Sequence, residues 1–171
     1  MSNQIFATER LTLNAFTLED TDFIIELVNS EGWLKNIGDK NIKNNADALA
    51  YLQTGPLQSY AKYGHGLSKV VLKESGTPIG MCGIVHRDLL EHPDIGFAFL
   101  PAYLSKGYAY EIAAATLLHA QTVWQMPTIL AITLPTNQRS IRLLEKIGLT
   151  LQREISFPPS TETLLLYYKD S

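Results

Sequence analysis

The stretch 97–111, FAFLPAYLSKGYAYE, carries the residues best placed to do chemistry. Strand-forming residues end at Pro101, a short loop holds Lys106 and Gly107, and a helical pattern begins at once. The first turn of a helix has backbone N–H groups without an intrahelical acceptor, contributed here around Ser105, Tyr108 and Ala109. Together with the helix dipole they favour an anion such as a pyrophosphate, and Lys106 adds charge beside them. Gly107 lets the backbone approach such a ligand, although the plainer reading is that it only makes a turn. A second pair, Asn137 and Ser140, lies at the entry to another helix, three residues apart and so on one face. Its plainer reading makes Asn137 an N-cap and Ser140 a surface hydroxyl.

The remaining motifs dissolve when spelled out. The phosphate-loop pattern GxxxxGK[ST] is absent. Gly64-His65-Gly66 opens a GxG, but Lys69 stands at the third glycine place. His86-Arg87-Asp88 spells a kinase triplet, yet Pro93 occupies the required asparagine position and the chain is too short for a kinase. The four histidines, His65, His86, His92 and His119, lack metal-ligand spacing, so no metal site is expected. No G-x-S-x-G elbow is present. The single cysteine, Cys82, excludes an intramolecular disulfide and a multi-cysteine zinc site.

Several elements must position these residues. Alternation over 10–16 predicts a strand, and Thr17 with Asp20 reads as a loose capping box ahead of Phe23, Ile24, Leu27 and Val28 at helical spacing. A second helix is expected over 46–60, interrupted at Pro56. Strands over 67–72 and 79–85 form a hairpin about Gly76, and a third strand covers 94–100. Helices over 106–125 and 137–147, the latter closed by Gly148, alternate with a strand over 128–134. Two final strands cover 149–155 and 163–168. A meander followed by strand–helix–strand crossovers implies a mixed α/β sheet of about six or seven strands with about four helices, antiparallel first and partly parallel near its centre.

The chain has 171 residues, 46% of them hydrophobic, and a formal net charge of −3. That length suits one domain spanning 1–171. The acidic balance argues against non-specific nucleic-acid binding. No apolar run approaches a bilayer span, and the N-terminus has no basic or apolar leader pattern, so a cytoplasmic protein is expected.

Taken together, the segments resemble the GCN5-related N-acetyltransferase (GNAT) superfamily, and within it the branch of ribosomal-protein alanine and serine N-acetyltransferases. The likeness runs from Thr8-Glu9-Arg10-Leu11-Thr12-Leu13 through Gly80-Met81-Cys82-Gly83-Ile84 and Asp94-Ile95-Gly96-Phe97. It continues through Tyr103-Leu104-Ser105-Lys106-Gly107-Tyr108-Ala109-Tyr110-Glu111 to Asn137-x-x-Ser140-x-x-Leu143-x-Glu145-Lys146-x-Gly148-Leu149. The resemblance implies a GNAT fold and acetyl-CoA as donor. It implies that Leu104, Ser105, Lys106, Gly107, Tyr108 and Ala109 form the phosphate loop, with Leu104 departing from the usual Arg or Gln. It places the pantetheine arm beside Phe99 and Leu100, held by Asn137. Arg139, Arg142 or Lys146 would meet the 3′-phosphate.

The implied reaction is direct acetyl transfer to a primary amine, a protein N-terminus or a small molecule. A strand N–H near Phe99 or Leu100 would stabilise the oxyanion. Asp94 stands where family members often carry Glu and is the expected base or amine-orienting group; His92 is a second candidate. The family's tyrosine acid is replaced by Leu144, which leaves Ser140, Tyr108 or water to protonate the leaving thiolate. Cys82 raises an acetyl-enzyme route, though its apolar flanks read as core. Trp33, Tyr51, Tyr60 and Tyr63 are either core or acceptor wall, and the polar segment 32–45 reads as an acceptor lid. The rival expectation is a non-catalytic acyl-CoA-binding module, as a monomer or homodimer.

Overall fold

The computed structural model describes residues 3–171. Eight strands form one sheet: β1 (Gln4–Ala7), β2 (Leu11–Asn14), β3 (Ser68–Leu72), β4 (Pro78–Val85), β5 (Asp94–Phe99), β6 (Thr128–Thr133), β7 (Thr150–Ile155) and β8 (Leu164–Asp170). Their spatial order is β1-β2-β3-β4-β5-β6-β8-β7. Neighbours are antiparallel except β5 and β6. The expected meander and central parallel pair are therefore present, with one strand more than expected. That extra strand, β1, is a four-residue edge strand with half-exposed residues, which leaves little period to read.

Among the described residues six α-helices flank the sheet: α1 (Thr21–Val28), α2 (Glu31–Asn36), α3 (Asn45–Thr54), α4 (Pro56–Tyr63), α5 (Tyr108–Thr122) and α6 (Gln138–Lys146). The interruption expected at Pro56 divides the 46–60 stretch into two helices, because Pro56 cannot donate to the preceding turn and opens α4 at its first position. The expected box at Thr17 and Asp20 is not a helix cap. Thr17 N–H donates to Asp20 Oδ2 at 2.8 Å in a turn that precedes α1, and Lys69 Nζ holds the other oxygen at 2.6 Å. Part of the 32–45 segment is also helical, since Trp33 of α2 is anchored in the core. Gly148 follows α6 with φ +100, the left-handed C′ position that an L side chain resists.

The sheet separates two apolar clusters. On one face α5 presents Ile112, Ala113, Leu117 and Ala120 at helical spacing to Leu11, Val70, Ile84, Ile95 and Phe99. On the other, α1 and α3 bury Phe23, Ile24, Leu27 and Leu52 against Phe16, Met81 and Leu100. Each fully buried Leu or Ile contributes about 1.5–3 kcal/mol. The first of these clusters holds α5 against β2, β4 and β5. No helix among the described residues is long and apolar enough to cross a membrane.

Candidate active site

β5 and β6 begin together and then part. Their pairing consists of Asp94 opposite Leu130, with Leu130 N–H donating to the Pro93 carbonyl at 2.9 Å. Beyond that point β5 stays paired to β4 on its other edge. Leu100 N–H donates to the Ile79 carbonyl at 2.9 Å, so the alternation of an antiparallel ladder turns the N–H groups of Phe97 and Phe99 toward the side of β6. Of the two expected oxyanion donors, Leu100 is thus already engaged and Phe99 faces the gap.

A 3₁₀ turn, Pro101–Tyr103, carries the chain from β5 into the loop before α5. Ser105 and Gly107 both have positive φ, +61 and +83. Gly107 is the N-cap of α5 and has no side chain to cap with. The Glu111 N–H bonds to the Gly107 carbonyl, which leaves the N–H groups of Tyr108, Ala109 and Tyr110 without a helical acceptor. Left-handed residues before such a helix end make a concave row of donors suited to an anion. A Cβ on Gly107 would lie 3.2 Å from Arg10 Nη2, in a backbone conformation L side chains resist.

The N-terminal hairpin locks this loop, a role the sequence reading missed although it singled out the Thr8-Glu9-Arg10 motif. Arg10 Nε donates to Glu111 Oε2 at 2.7 Å, and Arg10 N–H and Thr8 Oγ1 donate to Oε1 at 2.8 and 2.7 Å. Arg10 Nη1 donates to the Lys106 carbonyl at 3.1 Å, and the guanidinium lies over the Tyr108 ring at 4.4 Å. Burial alone would raise the Glu111 carboxyl, but hydrogen bonds from Thr8 and Arg10 outweigh it and hold the group below its ordinary value.

At the end of β6, Asn137 caps α6, its Oδ1 accepting from Ser140 N–H at 3.2 Å. The cap reading of Asn137 therefore holds, and its Nδ2 has no hydrogen-bond partner among the described residues. Lys146 Nζ lies 4.3 Å over the Tyr110 ring, so the last turn of α6 brings a cation to the first turn of α5. Thr133, also missed by the sequence reading, ends β6 with its hydroxyl enclosed and without a partner. An orphaned buried hydroxyl costs stability unless a ligand or water meets it. This orphan, the donor row at α5 and the parting strands fit a phosphate-tailed amide such as coenzyme A.

Asp94 is 1% exposed and lies at the closed end of the gap. Burial raises its carboxyl above the ordinary range, opposed by Arg87, whose Nε donates to Oδ1 at 3.0 Å. Asp94 is not beside Ser140: Asp94 pairs with Leu130 near the start of β6, and Ser140 follows that strand's far end. Phe99 lies five positions beyond Asp94 on β5, roughly 17 Å along the strand. His92 is exposed in the β4–β5 loop. Leu144 is 1% exposed and packs in the core cluster beneath α5. Cys82 is buried against Thr116, its thiol pushed up to about 12 by burial, so it carries no thiolate for an acetyl-enzyme route at neutral pH.

The four aromatic residues divide. Trp33 is core, and the Tyr60 hydroxyl donates to the Leu67 carbonyl and accepts from Phe16 N–H. Tyr51 and Tyr63 line a cleft of about 340 Å³ between α3, α4 and the end of β4. His86 lines it too, stacked on Tyr63 at 3.9 Å and backed by His65 with Nε2 atoms 3.4 Å apart. Nothing in the spacing of these residues announces the cleft, because three separate segments build it. Among the described residues no group of three His, Cys, Asp or Glu is arranged to hold a metal.

A single parallel pair that parts beside a glycine-led helix N-terminus, in a sheet with helices on both faces, defines the GNAT architecture. The acetyltransferase (GNAT) domain profile matches residues 10–150, and the chain belongs to that acetyltransferase family. It is similar to the Uncharacterized N-acetyltransferase YnaD of Bacillus subtilis (strain 168), with 28% identity over 143 residues, 83% of this chain and 80% of that one. Among solved structures it resembles an acetyltransferase from Agrobacterium tumefaciens str. C58, with TM-score 0.81 and 25% identity over 97% of this chain and 94% of that one. The ribosomal-protein-S5-alanine acetyltransferase of Vibrio fischeri shares the fold, with TM-score 0.73 and 16% identity over 96% and 95% of the two chains.

Proposed function

We propose that the protein transfers the acetyl group of acetyl-CoA directly to a primary amine, a protein N-terminus or a small molecule, within a ternary complex. The observation that carries this reading is the parting of β5 and β6 beyond Asp94, next to the donor row that opens α5. When bound, acetyl-CoA supplies the activated acetyl thioester. Ser105, Lys106, Gly107, Tyr108 and Ala109 hold the pyrophosphate through backbone N–H groups and the helix dipole, seated on Leu104. Lys146, with Arg139 or Arg142, meets the 3′-phosphate. Asn137 Nδ2 and the Thr133 hydroxyl bond the pantetheine amides along the edge of β6.

The Phe99 N–H stabilises charge on the reacting carbonyl oxygen, since that edge of β5 has no strand partner. Asp94, roughly 17 Å along β5 from Phe99, receives the ammonium's proton along a chain of waters without touching the amine, and its raised carboxyl suits proton exchange nearer neutrality. An α-amino group, with a pKa of about 7.7–8.0, needs less help than a lysine at about 10.4. Ser140 or water protonates the departing thiolate. A second reading, an acyl-CoA-binding module without turnover, is favoured by Leu144, because a core leucine cannot supply that proton.

Titration of the purified protein with acetyl-CoA by calorimetry, with NAD and ATP as controls, tests the donor. Selective micromolar binding is the expected result. Amine-dependent thiol release then separates enzyme from binding module. Absence of heat with acetyl-CoA would overturn both readings.

A further inference from the structure

We propose that the cleft between α3, α4 and the end of β4 receives the acceptor, and that this acceptor is an amine carrying an anionic group on or beside an aromatic ring. The inference rests on the acetyltransferase reading above and names the substrate class for it. The cleft, about 340 Å³, is large enough for such a molecule. It adjoins the reaction side of β5. Val85 on its wall is in register with Asp94, and a Cβ on Gly96 would meet Leu67 and Val85, both lining residues, at 3.4 and 3.9 Å. The cleft therefore lies over the same face of β5 as Asp94.

Its lining contains no Asp or Glu. The one formal charge is the Lys62 ammonium, which lies 5.0 Å over the Tyr63 ring and makes no ion pair among the described residues. Asp88 acts on Lys62 from the neighbouring loop but lies outside ion-pair distance. The Tyr51 hydroxyl and the Gln58 amide also line the cleft, and neither has a hydrogen-bond partner among the described residues. Burial pushes the Tyr51 phenol up to about 12, so it stays a donor at neutral pH. A cation and two unengaged polar side chains, with no carboxylate, favour a carboxylate or phosphate and disfavour a polyamine. Tyr63 and His86, stacked on each other with planes 15° apart, make this wall of the cleft aromatic, which suits an acceptor with a ring of its own. The hollow of about 590 Å³ at the opposite end of the sheet, beside Tyr103, has Glu26 in its lining instead and would suit a cation.

The test uses the full-length protein and matched amines: 4-(aminomethyl)benzoate against benzylamine, tyrosine against tyramine, and spermidine. Acetyl-CoA affinity is measured separately by calorimetry, so failure of the donor reading is seen on its own. Binding of each amine is followed by the imidazole signal of His86 and the ring signals of Tyr63 in NMR spectra. The carboxylate-bearing amines should move both sets of signals, with dissociation constants on the order of tenfold below their counterparts. Lys62→Glu should remove that preference and leave acetyl-CoA affinity unchanged. Equal affinity within each matched pair, tighter binding of spermidine, or no movement of these signals by the anionic amines overturns the proposal.

Discussion

Arg10 and Glu111, one hundred and one positions apart in sequence, meet at 2.7 Å and tie the first hairpin to the first turn of α5. The contact is bidentate in effect, because the Arg10 backbone N–H bonds the same carboxylate at 2.8 Å. It holds the donor row in place while contributing no atom of its own to that row. Glu111→Gln should therefore weaken acetyl-CoA binding by roughly three- to tenfold, as expected when a charge-assisted positioning bond is lost. Calorimetry reads the change, and the acceptor KM should stay constant.

Gly107→Asp should abolish measurable acetyl-CoA binding. The substituent meets Arg10 Nη2, strains a backbone at φ +83 and sets a negative charge before the helix end. Gly107→Ala isolates the strain and should cost about 1–2 kcal/mol of stability. Retention of full affinity by the Asp variant would remove the phosphate-loop assignment.

Thr133→Val gives a stability effect and a binding effect of opposite sign. The enclosed hydroxyl has no partner, so its removal should leave the melting temperature unchanged or higher. Acetyl-CoA affinity should fall severalfold if that hydroxyl meets the pantetheine. Parallel melting and calorimetry decide it, and unchanged affinity would return Thr133 to a purely structural place.

Asp94→Asn should lower kcat by an order of magnitude or more while moving the acetyl-CoA dissociation constant little. The pH–rate profile should also lose its acidic limb. Equal turnover at neutral pH would leave Asp94 as a structural partner of Arg87 alone.

Stability should fall as the solution is acidified below about pH 6.5. His65, His86 and His119 all have imidazoles held below their ordinary value by burial, His65 additionally by His86 and His86 by Lys62. The folded state thus binds fewer protons than the unfolded chain between those lowered values and 6.5, and stability rises with pH across that window. Asp94, raised instead, works in the opposite direction above the ordinary carboxylate value of 3.8, so the melting series is best run above pH 5. His65→Gln should flatten the dependence.

Leu144→Tyr tests whether the family's hydroxyl can simply be restored. Leu144 packs at 1% exposure, so the larger ring should overpack the core and cost about 1–3 kcal/mol without raising thiol release.

The sequence by itself determined the meander, the break at Pro56, the long helix after Gly107 and the cap at Asn137. These follow from local period, proline and glycine geometry and side-chain caps, each set within a few residues. The same locality made Gly107 and Lys106 legible as a loop before a helix. It could not reach Arg10 on Glu111, the orphaned Thr133 hydroxyl or the cleft shared by Tyr51, Lys62 and His86. It also placed Asp94 and Ser140 in one reaction without placing them in space. Only the tertiary structure set them at opposite ends of β6. Sheet order and helix packing bring distant segments together, and no period in a single chain encodes which of them will touch.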